Sequence, residues 1–417
     1  MATAIVKEVK ESWKTPSVMG SVALVIFVFF GILGRPDSVA FQLSGPRETI
    51  QLPNIDIGSS LLGSMLGVLL LAITGLAAWR VSQNKKVPIG LSLVFGAISL
   101  VALLGWLASG SVVPVAFILG SALVLAVPIV LGAMAGVMSE RVGVVNIAIE
   151  GQLLTGAFMA AVISTITGNQ ILGLVSAALT AALFSAVLAV FAVRFLAQQI
   201  IIGVVLNVLA IGITNFLYQQ WLTEDESATN SPGTLPIISV PFLSDIPILG
   251  PVLFQNRITV FMAIALVILI WFVLFKTKLG LRARAVGEHP LAADTVGINV
   301  GRTRFWWVTL GGMIAGLGGA TLTIGSAGSF GREMSGGLGF IALAVVILGR
   351  WHPGYATAAA LLFGFSIILR IWANQVSPGI PTSFITMVPY LVTLIAVVGF
   401  VGRSRPPAAD GIPYVKG

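Results

Sequence analysis

The sequence predicts an all-α, polytopic membrane bundle of about ten to twelve transmembrane helices with one broken or re-entrant segment. Three observations carry that expectation. Of the 417 residues, 57% are hydrophobic and only 9% are charged, against roughly 25% charge in soluble domains. Apolar runs of about the length that crosses a bilayer recur along the whole chain. Lys and Arg gather at alternate ends of those runs, as the positive-inside rule demands.

The runs fall at 18–34, 59–79, 89–107, 115–137, 152–168, 171–192, 200–219, 258–275, 305–325, 338–350, 354–373 and 383–402. Some are short or interrupted by Gly, so ten or eleven true crossings fit as well as twelve. The first run follows MATAIVKEVKESWKTP and has no small-residue cleavage site after it, which reads as a retained anchor. With the N-terminus placed inside, eighteen Lys and Arg fall in inner segments. Only Arg35, Arg47, Arg257 and Arg332 fall in outer ones, and Arg370 lies within a run. That bias accounts for the net charge of +8 without nucleic acid as a partner. Cys is absent, which excludes disulfides and thiolate metal sites. No metal or cofactor is expected.

Between the runs, two outer stretches, 35–58 and 222–257, carry Pro and acids and predict ordered caps with short extended pieces. The inner loops are short apart from 276–304. The segment 311–340 holds 11 Gly in 30 residues. Such a density suits either close helix packing or a backbone break lining a pathway at Ser326–Gly339, since irregular backbone at membrane depth needs protein or a watery cavity around it.

Polar residues narrow the chemistry. The Lys-Thr pairs at 14–15 and 276–277 lack the glycines of a phosphate-cradling loop. The two histidines, His289 and His352, sit in inner loops, and no HExxH zinc helix is present. An enzyme is therefore not expected. In SERVGVVNIAIEGQLLTGAF (139–158), Asn146, Glu150 and Gln152 recur inside an apolar, Gly-punctuated stretch. A carboxylate in a span costs about 2.5–3.5 kcal/mol at its centre, so Glu150 is a functional candidate. It suits a pin on a broken helix, a substrate contact or a solvated boundary position. Asn207, in IIIGVVLNVLAIG, suits a helix–helix hydrogen bond or a substrate contact. In GEHPLAADTVGINVGRTR (287–304), Pro290 fits a first helical position, LAADTV a short turn of helix, and Gly297 a C-terminal stop. That piece reads as a small plug for another protein's groove, or as a plain loop.

AADTVGI resembles the coupling loop of ABC-importer permeases. VMSERVGVVNIAIEGQLLTGAF, GLRARAVGEHPLAADTVGINVGRTR, GFIALAVVILGRWHPGYATAAALLFG, MVPYLVTLIAVVG and GIPYVKG are similar to the nucleoside-importer branch of the ribose and branched-chain amino acid permeases. The likeness covers about 112–417. Residues 1–111, with about three spans, fall outside it as an N-terminal extension.

This resemblance implies a permease subunit in a bacterial cell membrane, with both termini cytoplasmic, that translocates nucleosides. It implies three partners: a homologous second permease in a heterodimer, a cytoplasmic ABC ATPase, and an extracellular substrate-binding lipoprotein. It places coupling at Glu288, Pro290, Ala292, Ala293, Asp294 and Gly297, within a cytoplasmic loop 276–304. Asn146, Glu150, Gln152 and Asn207 then become substrate-binding candidates. Phe340 joins them as a side chain able to stack on a base, although a lone Phe at a span end also suits simple packing. Simple sugars are the alternative substrate. A secondary transporter is the alternative class, disfavoured because no charged, broken segment repeats in the two halves.

Overall fold

The computed structural model describes residues 11–45, 48, 50–223, 226–376, 387 and 405–416. Ten helices among the described residues are long and apolar enough to cross a bilayer. The run expected at 338–350 forms an eleven-residue helix, too short to cross alone, and the run at 383–402 lies outside the described residues.

The chain divides into two compact units. The first holds residues 1–117 with two short pieces, 245–248 and 371–385. Its helices are α1 (Lys14–Val25), which runs on as π-helical turns through Ile32, α2 (Ser59–Ser82) and α3 (Ile89–Leu107). They pack through Met19, Ala23, Leu70, Ile73, Ala77 and Phe95. The extended pieces expected in 35–58 are β1 (Ser38–Gln42) and β2 (Ile55–Gly58), which pair antiparallel, Ser38 opposite Gly58. β3 (Val112–Pro114) joins β1 in parallel. Stacking of Phe30 on Trp106, with Arg35 over the same indole, fixes the end of this unit nearest the sheet.

The second unit carries the polar residues singled out above. It is built from α4 (Val115–Glu140), α5 (Ile149–Thr167), α6 (Gln170–Val193) and α7 (Gln199–Leu217). After α8 (Glu226–Thr229), the 222–257 stretch supplies an antiparallel pair, β4 (Ile237–Ser239) and β5 (Gln255–Arg257). Then come α9 (Ile258–Lys276), α10 (Lys278–Glu288), α11 (Pro290–Thr295), α12 (Val300–Leu322), α13 (Leu338–Leu348) and α14 (Pro353–Val376), of which this unit holds the part up to Arg370.

The enclosed helix is α5, with 78% of its span buried. Small residues make that enclosure possible. A Cβ on Gly316 would strike the Ala177 carbonyl of α6, and one on Gly319 would strike the Leu153 carbonyl of α5. Ser185 of α6 donates to the Val308 carbonyl of α12 at 2.6 Å across the same contact. The glycine-rich segment falls into a packed part and a broken part. Its first half packs helices closely, and its second half, after π-helical turns at Thr323–Ala327, leaves the helix until Leu338.

Candidate functional site

The break between α4 and α5 sets up the site. The chain leaves α4 after Glu140 and re-enters a helix at Ile149, so Asn146 lies in the non-helical link and Glu150 in the first turn of α5. A carboxylate in a first turn is favoured by the helix dipole. Here it also serves a second strand of backbone. One Glu150 oxygen accepts from the Ser335 hydroxyl at 2.6 Å and the Gly337 N–H at 2.8 Å. The other accepts from the Gly339 N–H at 2.6 Å. Gly337 has φ of +86°, a left-handed conformation that Gly adopts without steric cost, and it turns the N–H toward the carboxylate. A Cβ on Gly339 would collide with the Glu150 backbone. Glu150 therefore ties the irregular stretch before α13 to the start of α5.

The neighbouring amides brace the same break. Asn146 and Gln152 exchange reciprocal hydrogen bonds of 3.2 Å and are fully buried, with Ser139 as a further acceptor for Asn146. On α7, Asn207 accepts from the Gly151 N–H at 2.8 Å and donates to the Ile147 carbonyl at 2.9 Å. Both groups would otherwise be unsatisfied at the end of α4–α5. The structure thus brings Asn146, Glu150, Gln152 and Asn207 together around one break, each bonded to protein. Phe340, on the first turn of α13, is half exposed.

Beside this break lies a cavity of about 330 Å³, near the lower end of ligand-site volumes. Its walls come from Val124, Leu125 and Pro128 of α4, Thr321, Leu322 and Ser326, the irregular Met334–Gly336, Leu338 and Ile341 of α13, and Phe363, Ile367 and Arg370 of α14. Glu150 reaches the wall through Ser335; the other four sequence candidates lie outside the lining. Sequence reasoning missed Thr321 and the cavity role of Arg370, and took in Ser335 only as part of the Ser326–Gly339 segment. A cation inside an apolar run was the one available signal.

At another part of the unit, α10 and α11 form the two helical pieces of the 276–304 loop. Pro290 opens α11 at its first position, and Gly297, with φ of +85°, closes the turn by donating to the Asp294 carbonyl at 2.9 Å. Ala293 faces inward, 3% exposed, within a cluster that includes Val142, Val286 and Val300. Ala292 faces out. Leu291 and Val296 are 66% and 74% exposed, so the outward surface of α11 is apolar and larger than the two alanines suggest.

The C-terminal residues clamp this element. Ala408 donates to the Glu288 carboxylate at 3.2 Å, and Ala409 to the Gly287 carbonyl at 2.8 Å. Arg304, 1% exposed, donates to the Val142 and Ile412 carbonyls at 3.0 and 2.9 Å. Burial pushes the Asp410 carboxyl up to about 7, although the Arg304 guanidinium and the Gly411 N–H pull it down. Burial likewise lowers Arg141, with Glu288 opposing. Among the described residues no cluster of three or more metal-ligating side chains occurs.

The model of the branched-chain amino acid transport system permease component matches residues 118–397. The guanosine ABC transporter permease protein NupQ of Bacillus subtilis is 42% identical over 310 residues, covering 72% of this chain and 97% of that protein. The nucleoside ABC transporter permease protein NupC of Lactococcus lactis is 39% identical over 309 residues, covering 72% and 96%. A putative glucose ABC transporter permease protein, TsgC13 of Haloferax volcanii, is 34% identical over 250 residues, covering 60% and 75%. No solved structure matches the chain.

Proposed function

The chain belongs to the permease components of the branched-chain amino acid transport family, and from that premise we propose that it forms the translocation subunit of an ATP-driven nucleoside importer. The observation that carries this reading is identity to guanosine and nucleoside permeases across nearly their whole length. A multi-pass permease translocates and does not catalyse. The energy comes from a cytoplasmic ATPase that docks on α11, and the solute from an extracellular binding lipoprotein. A homologous second permease completes the membrane part. The eighteen-to-four bias of Lys and Arg supports an inside location for both termini, and so for α11. Residues 1–111, which precede the matched region, are an addition to the permease core.

At the site, the solute occupies the cavity beside the irregular stretch. Glu150, Asn146, Gln152 and Asn207 serve it by holding its wall, with Ser335 as the point where that network meets the solute. Phe340 supplies an aromatic surface at the start of α13. The likeness to TsgC13 supports a sugar as the second reading. A competition assay separates them. Cells lacking the gene are expected to lose uptake of labelled guanosine, adenosine or uridine and to keep ribose uptake. Uptake blocked by ribose or galactose, and untouched by nucleosides, would overturn the nucleoside reading in favour of the sugar one.

A further inference from the structure

Resting on the nucleoside reading, we infer that Arg370 sets base preference and selects purine nucleosides bearing a 6-oxo group. Among the described residues lining the 330 Å³ cavity, Arg370 is the one that carries a charge, and it stands on a membrane-spanning helix. Among the described residues no hydrogen bond or ion pair holds its guanidinium. A cation at that depth with no partner among the described residues favours a ligand that can take its donors.

The rest of the wall offers the opposite chemistry. The Thr321 hydroxyl donates to the Gly318 carbonyl at 2.6 Å, the Ser326 hydroxyl to the Leu322 carbonyl at 2.8 Å, and the Ser335 hydroxyl to Glu150 at 2.6 Å. With their hydrogens committed, all three present lone pairs to the cavity. The Val124 carbonyl adds another acceptor, because Pro128, four residues on in α4, has no N–H to bond it. Val124 and Pro128 both line the cavity. The lining side chains thus amount to one forked donor facing several acceptors. The complementary solute has two adjacent acceptors at one edge and donors elsewhere. Guanine fits, since its O6 and N7 form the pair an arginine fork bonds, and its N–H groups and the ribose hydroxyls supply the donors. Adenine replaces the O6 acceptor with an amino donor, which opposes the guanidinium.

The test is uptake by intact cells carrying the complete transporter. In the wild type, guanosine and inosine should displace labelled guanosine better than adenosine or 7-deazaguanosine, which lacks the N7 acceptor. Arg370→Gln should raise the half-saturation concentration for guanosine about tenfold or more and leave that for adenosine near wild type. Arg370→Lys, which keeps charge without the fork, should lose part of the same preference. The ratio of competitor strengths is independent of how much protein reaches the membrane. An unchanged ratio in both variants, or a wild type indifferent to O6 and N7, overturns the role of Arg370. Absence of all nucleoside uptake by the wild type would instead sink the nucleoside reading itself.

Discussion

Replacing Glu150 with Ala should remove uptake and lower the thermal stability of the detergent-extracted protein. The substitution orphans three donors at once, the Gly337 and Gly339 N–H groups and the Ser335 hydroxyl. Each buried donor left unpaired costs about 1–3 kcal/mol. The loss falls on the join between α5 and the stretch before α13, so the cavity wall deforms even where the helices remain inserted. Glu150→Gln should be intermediate. All three partners are donors, so the amide nitrogen of a glutamine faces at least one of them in either orientation. Melting curves and uptake measured on equal amounts of membrane-embedded protein check this. An Ala variant with wild-type melting and wild-type uptake would show that the carboxylate neither holds the break nor serves the solute.

The second large effect is expected at α11. Replacing both Leu291 and Val296 with Asp should abolish nucleoside uptake and stimulation of the partner ATPase, with normal accumulation in the membrane. These side chains are the exposed apolar surface of the element. A carboxylate there would have to be desolvated on docking. Ala293→Trp should also abolish uptake, but by another route. Ala293 is packed among Val142, Val286 and Val300, and a bulky ring there displaces α11 from the unit and lowers stability. Melting temperature separates the two mechanisms: unchanged in the double Asp variant, reduced in the Trp variant. Undiminished ATPase stimulation by the double Asp variant would rule out α11 as the docking element.

The fold class was legible because hydrophobic run length and charge placement are one-dimensional quantities, and a bilayer imposes both. The glycine run was legible as composition. Its division into a packed half around Gly316 and an irregular half around Gly337 was not, since that depends on which helices approach it. Glu150 drew notice through its cost in a span, yet its partners lie 185 to 189 residues away, a separation no local pattern encodes. The six residues of α11 are too few to show which way a helix faces. Contacts with α12 and the C-terminal clamp turn Ala293 inward and leave Leu291 and Val296 outside. Arg370 was visible as a charge inside a run, but the cavity that gives the charge a use forms only when α4, α12, α13 and α14 meet.

This chain is proposed to be the translocation subunit of an ATP-driven nucleoside importer. The most direct measurement is uptake of labelled guanosine into vesicles reconstituted with this chain, the second permease, the ATPase and the binding protein. Accumulation should require ATP and should vanish when this chain is omitted. It should also vanish with the double Asp variant of Leu291 and Val296. Guanosine flux that persists without ATP hydrolysis and follows an ion gradient would contradict the claim and assign the chain to secondary transport.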